Sequence, residues 1–252
     1  MCDFTLEHYK EILKSAKRKG FQFVFFTETK LPKKAIFLRH DVDVSLENAI
    51  LMAEIEKQHN VCSTFFIRTH SNFYNSISPD SVKKIKKILS FGHQIGIHYD
   101  GAITNNLEEL INKQFDYLKQ CFKISRVISF HRPGFKIFGL ELKNFINTYN
   151  SYFFKECEYL SDSNRELKRG CIKEFIEKTN SNRIQILIHP FWWNEKNLNL
   201  KQLYRNLLKI KEREIVEELK SDIKDYKIFF EKYERYYSFN YRCRSTWRTR
   251  YN

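Results

Sequence analysis

The sequence predicts an α/β domain built on parallel strands and followed by a helical extension, and three observations carry that expectation. Short segments rich in β-branched and aromatic residues alternate with helix-patterned segments at least three times in succession, the pattern of parallel strands with crossover helices in an open sheet or a barrel. The chain has 252 residues, 42% hydrophobic and 16% aromatic, ample for a packed core. Late strand positions repeatedly carry ionisable residues, at the strand ends where parallel α/β folds bind ligands.

Taken in order, residues 5–19 set Leu6, Tyr9, Ile12, Leu13 and Ala16 on one helical stripe, with Gly20 as the stop. "FQFVFF" (21–26) reads as a short strand and "AIFLRHDVD" (35–43) as a longer one. "SLENAILMAEIEKQHN" (45–60) opens with Ser45 as an N-cap ahead of a helical pattern. "VCSTFFIRTH" (61–70) is strand, "SPDSVKKIKKILSFG" (78–92) is helix closed by glycine, and "HQIGIHYD" (93–100) is strand again. Residues 106–122 are helix, and "RVISFHRP" (126–133) is a strand that proline terminates. Residues 139–177 are less regular: 151–166 read as strand and loop, and "CIKEFIEKT" (171–179) as a short helix or strand. "RIQILIHPFWW" (183–193) is another strand. From about Leu198 to Tyr237 one or two long Lys/Glu-rich helices follow, mostly a solvated face, and then a basic tail. The expected organisation is one domain over 1–197, with 198–252 as a helical extension and tail packed on it.

The formal net charge of +14 attracts anions to any site. Nucleotide- or lipid-linked sugars, acidic glycans, membrane surfaces and nucleic acid all fit that field. The tail "RCRSTWRTRY" is a weak nucleic-acid signal, and the expectation is a solvated basic segment without specific nucleic-acid binding. The longest apolar runs, such as "FVFF", are far short of a membrane span. The N-terminal segment lacks the basic start and apolar core of a secretory signal, so a cytoplasmic protein is expected. Cysteines 2, 62, 121, 157, 171 and 243 form no C-x-x-C pair and read as free thiols rather than a zinc knot or disulfides.

The chemistry concentrates in "FLRHDVDVS". On a strand, Asp41 and Asp43 share a face because side chains alternate with period two. Two carboxylates there repel, so a cation, a metal or a shared proton must offset the cost; the plainer reading is a turn cluster ahead of the Ser45 cap. His93 and His98, five apart, fall on opposite faces of their strand, which makes His98 the better ligand and His93 structural. His98, His131 and His189 all lie late in strands of one array.

These segments together resemble the polysaccharide deacetylases with a NodB homology domain, carbohydrate esterase family four, in the branch whose first motif reads "HDVD". The match runs in order over roughly residues 20–193: "FLRHDVD", "STFFIR", "GHQIGIH", "SFHRPG", "LSDS" and "ILIHP". The resemblance implies a deformed (β/α) barrel of about seven strands that removes an acyl group from a sugar with one divalent metal, zinc being expected. Carried over, Asp41 is the catalytic base, Asp43 and His98 are metal ligands, and His189 is the general acid. Asp162 balances charge around the base through an arginine, for which Arg132 is the nearest candidate. The family's second ligand histidine falls on Ala102, so His131 is expected to supply the third ligand, with Asp100 as second choice.

In this reading the metal activates water, Asp41 takes its proton, and His189 donates to the leaving amine. Trp192 and Trp193 stand just beyond the acid, where an indole stacks on a sugar face and core packing suits one of the two at least as well; Trp192 and His70 are the expected substrate contacts. The expected function is removal of an N-acyl group from an amino sugar, nucleotide- or lipid-linked forms included, in surface-glycan or sugar-precursor metabolism. The alternatives are a metal-independent amidohydrolase on the same fold and a non-catalytic anion- or glycan-binding protein.

Overall fold

Four of the helices begin where a side chain satisfies a free backbone N–H group. In a computed structural model, which describes residues 2–101 and 103–223, α1 (Leu6–Arg18) is capped by Thr5 and α2 (Leu46–Gln58) by Ser45, which accepts from the Asn48 N–H at 3.1 Å. Ser78 caps α3 (Pro79–Ser90), whose proline sits in the first turn, where no N–H is needed. α4 (Leu107–Leu118) follows, and α5 (Ile172–Lys178) settles the helix-or-strand ambiguity of that segment as helix. α6 (Leu200–Asp222) opens with a capping box between Asn199 and Gln202. Ala102, Cys243, the basic tail and the helix pattern beyond residue 223 lie outside the described residues.

The strands are β1 (Gln22–Val24), β2 (Ala35–Val42), β3 (Thr64–Ile67), β4 (Gln94–Tyr99), β5 (Val127–Phe130), β6 (Ile146–Asn147), β7 (Glu158–Ser161) and β8 (Arg183–Ile188). All their pairings are parallel. Seven form a continuous path, β6-β5-β4-β3-β2-β8-β7, and β1 pairs with β2 off that path. β1 lies against Ala35–Phe37 and β3 against Arg39–Val42, so the two share one side of β2 in tandem.

The sheet is curled into a half-barrel. Arg39, in a central strand, hydrogen-bonds Thr148 and Tyr149, which lie just beyond edge strand β6. Gln185 Nε2 on β8 donates across the interior to the carbonyls of Thr148 and Phe153 at 3.1 and 3.2 Å. Phe26, Phe37, Phe66, Val127, Phe153 and Cys157 fill the interior below these polar groups, each buried Phe contributing roughly 1.5–3 kcal/mol. Gly96 makes room for them, since a Cβ there would lie 2.7 Å from the Phe66 ring and 2.8 Å from the Val127 carbonyl oxygen. Two further apolar clusters seal the helices against the outer face.

The outward face of β2 holds a buried polar hub. Glu56 on α2 accepts from His40 Nε2 at 2.5 Å and Ser63 Oγ at 2.5 Å, and it also bonds Tyr9. His93 Nδ1 lies 3.4 Å from the same carboxylate. His93 therefore faces away from His98, and His40, despite its place in "RHDVD", points at α2 rather than into the barrel.

By contacts the chain divides into two compact units, one ending at Leu198 and one beginning at Asn199. Among the described residues no helix is long and apolar enough to cross a membrane.

Candidate active site and metal centre

The carboxyl ends of β2, β4, β5 and β8 surround a cavity of about 360 Å³ lined by Asp41, Asp43, His98, His131, His189 and Trp192, among others. The strand register puts them there. In parallel ladders paired residues share a face, so the pairings Asp41 with Phe66, Phe66 with Gly96 and His98 with Ser129 run one inward row across three strand boundaries. Asp43, His131 and His189 each stand at the residue just beyond a strand end on that inward row.

Asp41 is 2% exposed. Its Oδ2 accepts from Arg39 Nη2 at 3.1 Å and from Ser129 Oγ at 2.9 Å. Its Oδ1 is buried without a hydrogen-bond partner. Arg39 is itself fully buried and further held by Gln185 Oε1 at 3.3 Å and the Tyr149 hydroxyl at 2.5 Å. The arginine beside the expected base is thus Arg39, two residues away on the same strand face. This corrects the expectation for Arg132, which makes no ion pair with Asp41. Arg132 takes φ 51°, and its side chain is exposed at the cavity rim.

Asp43, His98 and His131 converge. Asp43 Oδ1 lies 3.0 Å from His98 Nε2 and 3.6 Å from His131 Nε2, and one donor atom from each residue falls within 4.8 Å of the others. His98 Nδ1 stands 3.4 Å from the Ser129 carbonyl oxygen, to which its N–H donates, leaving the Nε2 lone pair on the cavity side. Asp100 Oδ1 stands 3.3 Å from His131 Nδ1 and its other oxygen pairs with Arg68. Asp100 therefore stands on the Nδ1 side of His131, close to it although Nδ1 makes no hydrogen bond of good geometry, and is not itself among the converging atoms.

The fit of this trio to a divalent cation is tested by its buried lone pairs. Asp43 Oδ1 and His98 Nε2 are both buried with no hydrogen bond, although they lie 3.0 Å apart. The two atoms do not satisfy each other, and a donor atom of His131 lies within 4.8 Å of both residues' donor atoms, close enough for one cation to take all three. Unpaired buried polar atoms cost on the order of 1–3 kcal/mol each, and a cation removes that cost. One carboxylate and two imidazoles with an open position form a donor set of the catalytic-zinc kind. Burial would raise the Asp43 carboxyl, but His98, with His189 and His131, holds it down to about 2.

His189 is set on the opposite wall. Its Nδ1 lies 2.6 Å from Asp162 Oδ1, its backbone N–H donates to the same carboxylate at 3.0 Å, and Nε2 points across the cavity, 3.8 Å from Asp43 Oδ2. Trp193 Nε1 completes the cradle by donating to Asp162 Oδ2 at 2.8 Å. Burial acts to lower the His189 imidazolium, but Asp162, with Asp41 and Asp43, outweighs it and raises the group to about 9. Asp162 therefore acts on His189 directly, not on Asp41 through an arginine as expected.

The tryptophans divide. Trp193 is fully buried, and Trp192 lines the cavity with an indole N–H that is buried and unbonded. His70, expected to bind substrate, is exposed and outside the cavity lining. Ser129, and the bond of Trp193 to Asp162, carry no local signal in the sequence, whereas the i−2 spacing of Arg39 to Asp41 does.

No protein-family model matches the chain, and no curated protein matches it by sequence. Among solved structures it is similar to a carbohydrate esterase family four (CE4) pseudoenzyme from Bacillus anthracis, BA3943, at 14% identity over 70% of this chain and 61% of that one, with a TM-score of 0.45. The present chain thus spans less than two thirds of that protein. It is also similar to the Streptococcus pyogenes deacetylase PplD, solved with acetate, at 16% identity over 80% and 86% of the two chains and a TM-score of 0.44. A Streptococcus mutans CE4 esterase matches at 17% identity over 84% and 89%, with a TM-score of 0.41.

Proposed function

We propose that the protein is a metal-dependent hydrolase that removes an N-acyl group from an amino sugar, with its first motif in the "HDVD" branch of the polysaccharide deacetylases. The observation that carries this reading is the pair of unbonded buried atoms, Asp43 Oδ1 and His98 Nε2, grouped with His131 within 4.8 Å in a cavity that Asp41 and His189 also line.

A divalent cation held by Asp43, His98 and His131 supplies, when bound, a water of lowered pKa and polarisation of the acyl oxygen. Asp41 takes the proton of the attacking water through Oδ1, the oxygen that Arg39 and Ser129 leave unoccupied. His189, charged at neutral pH, donates from Nε2 to the leaving nitrogen, without which an amide C–N bond breaks poorly. Asp162 and Trp193 hold the imidazole for that transfer. Trp192 offers the substrate an apolar face at the cavity wall. A cavity of about 360 Å³ lies near the lower end of ligand pockets, roughly 300–1,000 Å³, and suits one sugar unit with its acyl group. The net charge of +14 favours substrates carried on anionic nucleotide or lipid diphosphates.

The test is release of acetate from N-acetylated amino sugars offered free, nucleotide-linked and lipid-linked to zinc-loaded protein. Asp41→Asn and His189→Ala should each lower turnover by about 10²–10⁴. Turnover that survives both chelation and Asp43→Ala would contradict the metal-dependent reading and favour a metal-independent amidohydrolase.

A further inference from the structure

A second group of soft donors lies away from the cavity. Cys2 Sγ is 3.2 Å and Cys171 Sγ 3.5 Å from the same atom, His8 Nε2, and the three donor atoms all lie within 4.8 Å of one another. These spacings can be compared with a bound ion. Tetrahedral zinc with Zn–S near 2.3 Å and Zn–N near 2.0 Å separates sulfur from nitrogen by about 3.5 Å and two sulfurs by about 3.8 Å. The observed sulfur–nitrogen distances lie at and just below the first value, and the 4.8 Å limit on all three donor atoms admits the second. All three residues are half-buried, so the donors are partly shielded from water.

We propose that Cys2, His8 and Cys171 form a second metal site, taking a zinc-class cation with two thiolates, one imidazole and a water. On binding, the two thiols release their protons, so that a divalent ion leaves a neutral cluster. No C-x-x-C spacing marks this site in the sequence; its ligands come from the N-terminal segment, α1 and the residue preceding α5.

The surroundings indicate what the ion does. The His8 ring lies parallel to the Trp193 indole, 7° between planes and 6.2 Å between centres. The N-terminal segment is threaded beside the same tryptophan, with Leu6 N–H donating to Asn194 O at 2.8 Å and Asn194 N–H to Phe4 O at 3.0 Å. Trp193 in turn donates to Asp162, the partner of His189. The ion ties the N-terminal segment to α5 behind the residue that braces the general acid. It shares no ligand with Asp43, His98 and His131, so either site can fail without the other.

Cobalt titration of the full chain, stripped of metal and kept reduced, tests this, because thiolate-to-cobalt charge transfer arises only from sulfur ligands. The band should appear in the wild type, persist in His98→Ala, and be lost in Cys171→Ser and in Cys2→Ser; the second serine variant covers a folding failure of the first. Zinc content should fall by one equivalent per chain in either serine variant, and zinc should raise the melting temperature of His98→Ala. Absence of the band in folded wild-type protein, or its persistence in both serine variants, would overturn the proposal. Loss of the band in His98→Ala alone would do the same.

Discussion

Asp162 holds His189 at two points, the ring Nδ1 at 2.6 Å from Oδ1 and the backbone N–H donating to both carboxylate oxygens at 3.0 Å, and is itself fully buried. This pair sets both the orientation and the charge of the imidazole that faces the cavity.

Activity should therefore fall as pH rises through about 9, where His189 loses its proton. The folded-state value lies above the ordinary 6.5, so the stability this pair adds is complete below about pH 6.5 and is lost as pH rises toward 9. Asp162→Asn removes the main cause of the shift. A pH–rate profile of that variant should show its alkaline limb moved toward 6.5, with turnover lowered by about 10²–10⁴. An unmoved limb would assign it to another group.

Arg39→Met should destabilise the fold by about 3–5 kcal/mol in urea denaturation, because it strands the buried Asp41 carboxylate. Arg132→Ala, at the exposed rim, should stay within about 0.5 kcal/mol of wild type. Equal effects would contradict the assignment of Arg39 as the partner of the base.

Asp100→Asn and His131→Ala separate a supporting carboxylate from a ligand. The first should weaken zinc affinity by about 10–100-fold, as loss of a carboxylate beside a ligating imidazole does. The second should remove stoichiometric binding at this site. Competitive titration against a chromophoric chelator measures both, and the reverse order would make Asp100 the third ligand.

Trp192→Ala should raise KM by roughly fivefold, the loss of about 1 kcal/mol of ring contact, with a smaller change in kcat. His70→Ala should leave both constants unchanged. Steady-state kinetics on the same N-acetylated sugar decides between them.

The alternation of strands and helices was readable because both periodicities are local, and the converging ends followed from parallel connectivity. β6 was not, since its two residues are too few to show a period. The trio of Asp43, His98 and His131 could be anticipated from position at strand ends, as could His189. Arg39 was overlooked although period two places it on the face of Asp41, while Arg132 was favoured by motif order alone. The brace on Asp162 depends on β7 lying beside β8, with Ser161 opposite Leu187, and nothing local in the chain announces that neighbourhood. The same holds for His40, whose partner Glu56 lies on the following helix.

The most direct measurement is an anomalous-scattering map of zinc-loaded crystals at the zinc edge. A peak about 2.0–2.2 Å from Asp43 Oδ1, His98 Nε2 and His131 Nε2 is the predicted result. Density placing no ion among those three atoms, in crystals that hydrolyse substrate, would contradict the account.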